Sequence, residues 1–261
     1  MQILTAHFKD ELHDTFIEIV NTEKDAQDDP LSFTLDSITF RGSSLGNFQL
    51  SDETQYDEAK EKFHILKAGP YNVGDNTAGY LYTLQRYALD VEIPVKVLRK
   101  RDGCELPAVI HLSFEYKEHD MEKRQSIRYC DDVRVYQDDV KVSDFSLLAD
   151  GAKYSSTRKI PAFDLALPDI CRQMSKEYYL KSCFTCQYSE YSPYGGDDYG
   201  SMLCYRNNKE ECLKVHNKDD YFEYLEDKDF EMRQETFLCE EYEPRNKCSG
   251  YRGFVDGVDH L

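Results

Sequence analysis

The cysteines of the C-terminal third are the residues best suited to do chemistry. Cys183 and Cys186 form a Cys-x-x-Cys pair, Cys204 follows after 17 intervening residues, and Cys239 after another 34. A Cys-x-x-Cys turn lets two thiolates reach one ion, and four thiolates fill the tetrahedral shell of zinc. Because four protein ligands leave no position for water, the spacing predicts a structural Zn²⁺ site and not a catalytic one.

The ligand set has alternatives, because only its first half is a Cys-x-x-Cys pair. Cys212 or Cys248 can replace one of the four ligands, and His216 is a further candidate in the register Cys212-x3-His216. Iron is the rival metal, but neither the bacterial nor the plant-type cysteine spacing of iron–sulfur proteins is present. A thioredoxin-like redox role requires a βαβ context, which the sequence lacks. Zinc is therefore the preferred metal.

A loop rich in Tyr, Gly and Asp, residues 188–200, separates the second ligand from the third. Tyrosine offers a large contact area at a small entropic cost, which makes such a loop typical of recognition surfaces. The alternative interpretation is a turn held by the metal, whose tyrosines pack on the surrounding module. The candidate partner-binding residues are Tyr191, Tyr194, Asp197, Asp198 and Tyr199.

Acidic residues dominate the chain, which has 50 Asp and Glu against 32 Lys and Arg and a formal net charge of -18. Residues 197–243 alone carry fifteen acidic and six basic side chains, a net charge of -9. Such a field repels nucleic-acid phosphates and anionic lipids and attracts basic proteins. The charge therefore favours a basic protein partner, with no direct nucleic acid and no membrane, although a solvated surface without a partner explains it too.

Catalytic motifs are absent from the sequence. There is no Gly-x-Ser-x-Gly elbow, P-loop, Gly-x-Gly-x-x-Gly or His-Glu-x-x-His, and the seven histidines are dispersed. We therefore predict no catalytic residues and no cofactor other than the structural zinc. An enzyme, for example a hydrolase with its site in the β domain or at the domain junction, is the competing class. A structural component of a larger complex is a third.

The N-terminal half must support these residues, and its hydrophobic pattern has a period of two. Residues 89–97 alternate aliphatic and polar side chains, with Pro94 at one of the polar positions, and residues 110–117 repeat the alternation. Since the Arg-Asp-Gly sequence at 101–103 supplies turn chemistry, the two segments predict a long hairpin. Pro94 cannot donate a ladder hydrogen bond, which predicts a sheet edge or a bulge there.

Shorter strand patterns accompany this hairpin, and convincing amphipathic helices are few. Many short strands of this kind predict a mainly β (α+β) protein whose residues 1–150 form an antiparallel β-sandwich or barrel-like domain. A charged stretch at 51–62 fits either a short helix or a loop. The shorter strand patterns lie at residues 12–20, 32–40, 62–66, 126–129 and 133–136.

The second domain, residues 151–261, is predicted to combine one connecting helix with the cysteines. A run of small polar residues at 150–157 is typical of a linker or a long surface loop. Pro168 followed by Asp169 resembles the start of a helix, and apolar residues spaced by four then predict a helix over residues 168–180. That helix leads directly into a zinc-ribbon-like module.

Four short motifs in about the last 80 residues carry a resemblance to a family. They are Ser182-Cys183-Phe184-Thr185-Cys186, Ser192-Pro193-Tyr194-Gly195, Met202-Leu203-Cys204-Tyr205-Arg206 and Phe237-Leu238-Cys239. Through them the chain resembles an uncharacterised bacterial family known only as a domain of unknown function. The resemblance implies a bacterial cytoplasmic protein with joined β and cysteine-rich parts, and it implies no activity.

The N-terminus reaches acidic residues early and has no basic region followed by an apolar one, so it does not read as a signal peptide. No window approaches the roughly 20 apolar residues that cross a bilayer. We therefore expect a cytoplasmic protein whose nine cysteines remain thiols or metal ligands. Together these features predict a non-enzymatic, zinc-stabilised acidic binding protein, for example an immunity or inhibitor protein against a basic toxin or nuclease.

Overall fold

The computed structural model describes residues 1–23, 29–72, 78–117, 128–130, 133–135, 140–157, 163–193 and 199–245. The strands are β1 (Gln2–Lys9), β2 (Asp14–Asn21), β3 (Leu31–Leu35), β4 (Ile38–Gly42), β5 (Phe48–Leu50), β6 (Ile65–Asn72), β7 (Ala78–Leu84), β8 (Tyr87–Arg99), β9 (Cys104–Tyr116), β10 (Arg128–Cys130), β11 (Val133–Val135), β12 (Val140–Ala149), β13 (Ala152–Ser155), β14 (Tyr178–Lys181), β15 (Ser189–Tyr191), β16 (Met202–Cys204) and β17 (Glu231–Arg233). The helices are α1 (Tyr56–Ala59), α2 (Phe163–Met174), α3 (Lys209–Cys212) and α4 (Lys218–Tyr224), and 3-10 turns lie at Glu53–Gln55 and Cys183–Thr185. No helix among these residues is both long and apolar enough to cross a membrane.

Twelve of the described strands form one antiparallel sheet. Eleven of them follow the order β13-β12-β9-β8-β1-β2-β3-β4-β5-β7-β6, and the twelfth, β14, pairs with β8 on the same side as β1. The sheet curls into a half-barrel, as the right-handed twist of long antiparallel sheets favours. The prediction of a mainly β, antiparallel fold is confirmed. A separate hairpin pairs β10 with β11, and a second sheet has the order β15-β16-β17.

The hairpin of β8 and β9 lies in the interior of the large sheet, between β12 and β1. Alternate residues of β8 are buried from Tyr87 to Val97, as the period-two pattern predicted. Gly103 closes the turn with a φ of +67°, a conformation that residues with a Cβ rarely adopt. The buried side chains of the hairpin join those of the neighbouring strands in one hydrophobic core, whose removal from water is the main stabilising contribution.

Pro94 lies in the middle of β8, at a local gap in the sheet. On one side, β9 pairs with β8 along its whole length. On the other side, β1 pairs with β8 only as far as Glu92, and β14 begins at Lys96. The Pro94 carbonyl faces this second side, where it accepts a hydrogen bond from the Gln2 amide at 3.0 Å. The missing N–H therefore falls between two partner strands and removes no ladder bond. The prediction of a sheet edge or a bulge is wrong, because β8 is an interior strand with an unbroken register to β9.

The polar run predicted as a linker is a hairpin turn followed by a strand. Asp150 and Gly151 both have positive φ, 49° and 80°, as a type I′ turn requires. β13 then pairs back onto β12. Since β13 and β14 both belong to the large sheet, that sheet continues past the boundary predicted at residue 150 and ends at Lys181.

The connecting helix begins and ends earlier than predicted. α2 has Pro168 in its interior and not in its first turn, and it ends at Met174. Tyr178, predicted to lie in the helix, pairs with Arg99 in β14. The apolar face of α2, including Ile170, packs against β12, β13 and β14. Burial of this face outweighs the cost of an interior proline, about 3 kcal/mol.

The second sheet carries a smaller core of its own. We call residues 182–245 the cysteine module; β16 is the middle strand of its sheet. The Tyr205 and Tyr221 hydroxyls lie 3.0 Å apart and join β16 to α4. The buried residues of this small core are Leu203, Tyr205, Cys212, Val215, Tyr221 and Leu225.

Candidate metal centre

The Cys-x-x-Cys pair lies in a tight turn just beyond the large sheet. The 3-10 turn Cys183–Thr185 follows β14 after a single residue. Within the turn, the Cys186 N–H donates to the Cys183 carbonyl at 3.0 Å. The Ser182 N–H donates to Thr185 Oγ1 at 3.4 Å, and the Thr185 N–H donates to the Ser182 carbonyl at 3.1 Å. This network holds the backbone of both cysteines, and both are buried.

Backbone pairing brings the other two cysteines to this turn. Cys204 is the last residue of β16, whose partner β15 follows the turn closely in sequence. The segment before Cys239 bonds directly to the turn, because the Cys183 N–H donates to the Phe237 carbonyl at 2.7 Å. After Cys239 the chain returns to the turn through a β-bridge at Pro244. The structure therefore brings the four predicted ligands into one cluster.

The four thiols of this cluster affect one another's pKa. Cys183 donates a hydrogen bond to Cys204, and this bond raises the pKa of Cys183 well above its usual range, with burial adding to the effect. The same bond lowers the pKa of Cys204 to about 7. Burial raises the pKa of Cys239, and the neighbouring Cys186 and Cys204 add to the increase. These mutual effects place the four thiols within electrostatic reach of one another.

Two backbone N–H groups donate to sulfur in the cluster. The Arg206 N–H donates to Cys204 and the Glu241 N–H to Cys239, in each case from two residues further along the chain. Each bond lowers the pKa of the sulfur that accepts it, because it stabilises the thiolate. The Arg206 guanidinium, held by Glu231 at 2.7 Å, acts in the same direction on both sulfurs. Since thiolate is the form that binds metal, these donors favour metal binding.

Within the part of the chain that the structure describes, no three His, Cys, Asp or Glu side chains are already arranged as a metal site. The cluster instead closes on itself through the Cys183–Cys204 hydrogen bond. A metal ion displaces the proton of such a bond when it binds, because its thiol ligands must be deprotonated. Four soft sulfur donors fit Zn²⁺ and do not fit Mg²⁺ or Ca²⁺, which require oxygen ligands.

The alternative ligands have other positions. Cys212 is buried in the small core of the cysteine module, where its thiol donates to the Gln187 carbonyl at 3.7 Å. His216 is exposed on the segment between α3 and α4. Cys248 lies outside the described residues. The described geometry therefore favours Cys239 over Cys212 as the fourth member of the cluster.

The predicted partner-binding residues do not form an exposed surface where the structure describes them. Tyr191 is buried, and its hydroxyl donates to the Glu235 carboxylate at 3.2 Å. Tyr199 is also buried, with its hydroxyl 2.7 Å from that of Thr236. These two tyrosines therefore pack inside the module, which is the alternative that the sequence left open. The remaining three, Tyr194, Asp197 and Asp198, lie outside the described residues.

Glu235 is a buried carboxylate that the sequence gave no reason to single out. Its side chain is fully buried and accepts hydrogen bonds from the Gly200 N–H at 2.8 Å and the Ser201 N–H at 3.3 Å, besides that of Tyr191. Burial raises the pKa of Glu235 to about 8, although these hydrogen bonds act in the opposite direction. No local motif marks such a residue, because its role depends on segments far away in the sequence.

Comparison with known proteins identifies one family. The model of a family of unknown function (DUF6304) matches residues 2–189. No curated protein and no solved structure matches the chain. The matched segment covers the large sheet, α2 and the turn with Cys183 and Cys186, and it ends before Cys204 and Cys239. The resemblance to an uncharacterised family is therefore confirmed, but the match lies mainly N-terminal to the motifs that suggested it.

Proposed function

The chain belongs to this family of unknown function, and we propose that it is a non-enzymatic binding protein, stabilised by zinc, whose acidic surface engages a basic protein. The clustered thiols of Cys183, Cys186, Cys204 and Cys239 support the zinc part of the proposal. With four thiolate ligands the ion has no position for water, so its contribution is structural. The same metal-bound or reduced thiols support a cytoplasmic location.

The observation that carries the binding proposal is an exposed acidic surface on the cysteine module. Five carboxylates of α4 and the turn after it are exposed, and none forms an ion pair with another described residue. Unneutralised carboxylates on one surface attract basic partners and raise association rates. We call this set the α4 acidic surface: Asp219, Glu223, Glu226, Asp227 and Asp229.

The metal cluster and the α4 acidic surface are connected through one strand. Cys204 ends β16, and Tyr205 directly after it is fully buried against Tyr221 of α4. Phe230, partly exposed beside the acidic residues, packs on Tyr205 with ring centroids 5.9 Å apart. A zinc ion on Cys204 would therefore hold the strand that supports the acidic surface. An immunity or inhibitor protein against a basic toxin or nuclease needs such a rigid acidic surface.

Affinity capture with the purified chain tests this proposal. The bait is the whole protein, and captured proteins are identified by mass spectrometry at about 0.05 M and about 0.5 M salt, where screening differs strongly. We expect a basic protein that is retained at low salt and lost at high salt. Neutralising Asp219, Glu223, Glu226 and Asp227 to Asn or Gln should abolish capture.

A matched control removes the same number of charges from the outer face of the large sheet. The control variant changes Glu18, Asp90, Glu92 and Glu115, which are exposed there, to the same amides. It should capture the partner as the unmodified protein does. Equal losses in the two variants, or capture insensitive to salt, would contradict a specific role for the α4 acidic surface.

A hydrolase is the second candidate, because the β domain contains a polar cavity. The cavity has a volume of about 150 Å³, and its lining includes Asp10, His64 and Arg86. Beside it, Asp10 accepts from His13 Nδ1 at 2.9 Å, and the His13 ring stacks on Phe63. Carboxylate, imidazole and guanidinium groups together can move a proton and stabilise an anion.

Chromogenic ester and phosphate substrates test the hydrolase candidate. Activity that falls by roughly 100-fold or more in His64→Ala, with no change in the control His111→Ala, would favour it. His111 is a suitable control because it lies on the outer face of β9, bonded to Glu92 at 3.0 Å. Activity that is absent, or equal in both variants, would reject the cavity as a catalytic site.

A further inference from the structure

A cage of three tyrosines surrounds a lysine at one end of the large sheet. The Lys67 ammonium lies 4.2 Å from the ring centroid of Tyr80, 5.2 Å from that of Tyr82 and 5.4 Å from that of Tyr56. All three distances are within the roughly 6 Å at which an aromatic face attracts a cation. Multiple rings around one ammonium are the arrangement by which proteins recognise alkylated ammonium groups.

The backbone positions the cage before any ligand is present. Tyr80 and Tyr82 are two residues apart on β7 and therefore lie on the same face, with their ring centroids 6.5 Å apart. Tyr56 begins α1 and packs on Tyr82 at 4.8 Å. Lys67 is the register partner of Tyr82 on β6. Tyr82 is buried and Tyr80 is 37 % exposed, so the cage has a fixed floor and an accessible rim.

The segment beside the cage carries charges of both signs. The segment from the 3-10 turn to the end of α1 includes the exposed acids Glu53, Asp57 and Glu58. Two of these acids pair with lysines just after α1, Asp57 with Lys60 at 2.6 Å and Glu58 with Lys62 at 2.7 Å. Lys67 lies on β6, the last strand in the order of the large sheet, and is itself exposed. An exposed side chain on an edge strand can leave the cage without disturbing the core.

We propose that the tyrosine cage is a binding site for an alkylammonium group of a partner, and that Lys67 occupies it in the unbound protein. The occupant is a cation of the lysine or quaternary-ammonium class, because the cage already holds one such group against three aromatic rings. Binding requires Lys67 to move out, which makes Lys67 an internal competitor that lowers the apparent affinity. The site is separate from the metal cluster and the α4 acidic surface and does not depend on either.

Choline and its neutral isostere 3,3-dimethyl-1-butanol distinguish cation recognition from simple apolar contact. Binding is followed by NMR of the tyrosine ring protons in the unmodified protein, Lys67→Ala and Lys67→Ala/Tyr80→Ala. We expect Lys67→Ala to bind choline roughly tenfold more tightly than the unmodified protein does. The same variant should bind choline roughly tenfold more tightly than it binds the isostere. The double variant should lose this binding.

The control is Lys62→Ala, which removes a lysine that pairs with Glu58 at 2.7 Å outside the cage. It should bind choline as the unmodified protein does. If the Lys67 variants fail to fold, the unmodified protein titrated to about 0.1 M choline must still prefer choline to the isostere. Equal binding of choline and isostere, or no gain in Lys67→Ala over Lys62→Ala, would overturn the proposal and leave Lys67 as a structural contact only.

Discussion

The large sheet and the cysteine module differ in what holds them together. The sheet buries aliphatic and aromatic side chains in one core, and its strands reach thirteen residues in length. The three strands of the module's sheet have three residues each, and its interior includes polar groups such as the Glu235 carboxylate. Glu190 and Arg245, 3.9 Å apart, are also buried there. Short strands and buried charges cannot supply the stability that a large apolar core supplies.

The contrast suggests that the two regions depend on different contributions. The sheet satisfies the ordinary requirement of a folded domain, because burial of apolar area offsets the entropy that its chain loses. The module adds Phe184, Tyr191 and Met202 to the core of the large sheet, but its own short strands also depend on specific contacts, of which the thiol cluster is the most concentrated. Loss of the proposed metal should therefore affect the module and spare the sheet, whereas a core substitution in the sheet should leave metal binding intact.

Removing one thiol has the largest expected effect and tests whether the two regions depend on different contributions. Cys204→Ser should abolish binding of one zinc ion per chain, because it removes one of the four proposed ligands. The effect should be large, since structural zinc binding supplies about 10–16 kcal/mol in small zinc domains. Native mass spectrometry measures the metal, and hydrogen exchange measures amide protection. Protection should fall in β15, β16 and α4 and persist in β8 and β9.

The control for that experiment is Cys104→Ser, since Cys104 is exposed at the start of β9, far along the chain from the cluster. This variant should keep its zinc and its exchange pattern. If Cys204→Ser retains the ion, or if β8 and β9 lose protection together with the module, the proposed division between the two regions is wrong.

A core truncation in the sheet sharpens the contrast from the other side. Ile110 of β9 is fully buried and pairs with Ile93 of β8. Ile110→Ala should lower the free energy of unfolding by about 2–5 kcal/mol, because it removes buried methyl groups and leaves a cavity. Urea denaturation measures the loss, and Ile110→Val, expected to cost about 0.5–1.5 kcal/mol, is the graded control. Zinc content should be unchanged in both, and a loss of metal would show that the module depends on the sheet.

The smallest predicted effect is a pH dependence that comes from Glu235. Its pKa is raised from 4.5 to about 8 by burial, so the folded chain keeps a proton that the unfolded chain releases. Its contribution to stability is therefore complete below about pH 4.5 and is lost as the pH rises through about 8. Glu235→Gln keeps the shape of the side chain and removes its titration. As the pH rises from about 4.5 to about 8, the free energy of unfolding should therefore fall less in the variant than in the unmodified protein. Urea denaturation at several pH values measures both curves, and parallel curves would refute the assignment.

Periodicity made the large sheet predictable in part. The alternation in residues 89–97 and 110–117 predicted β8 and β9 because each strand has one face in the core. Composition was a poorer guide at Asp150 and Gly151, because small polar residues indicate a tight turn as well as a linker. Joining β14 to β8 could not be predicted, because no local pattern in four residues specifies a partner more than 80 residues away.

Within the candidate site, sequence spacing found the cysteines but not their surroundings. A Cys-x-x-Cys turn is a local feature, and its geometry follows from a few backbone bonds. Burial is not local, so the sequence left open whether the tyrosines of residues 188–200 form a surface or pack inside; Tyr191 and Tyr199 are buried. The Glu235 carboxylate and the tyrosine cage on β6 and β7 escaped notice for the same reason, because each is assembled from distant segments.

Strand β8 also imposes an order on folding. On the side of β8 that faces away from β9, two strands pair with it: β1 pairs with β8 as far as Glu92, and β14 pairs with it from Lys96 onward. One residue separates β14 from the Cys183–Thr185 turn. Both pairings join segments about 80 residues apart, and such distant contacts form late because long loops must close first. The local β8–β9 hairpin should therefore form early and act as the template on which β14 docks. The first two cysteines should reach their final position only after that docking, so the proposed zinc ion should bind in the last stage of folding.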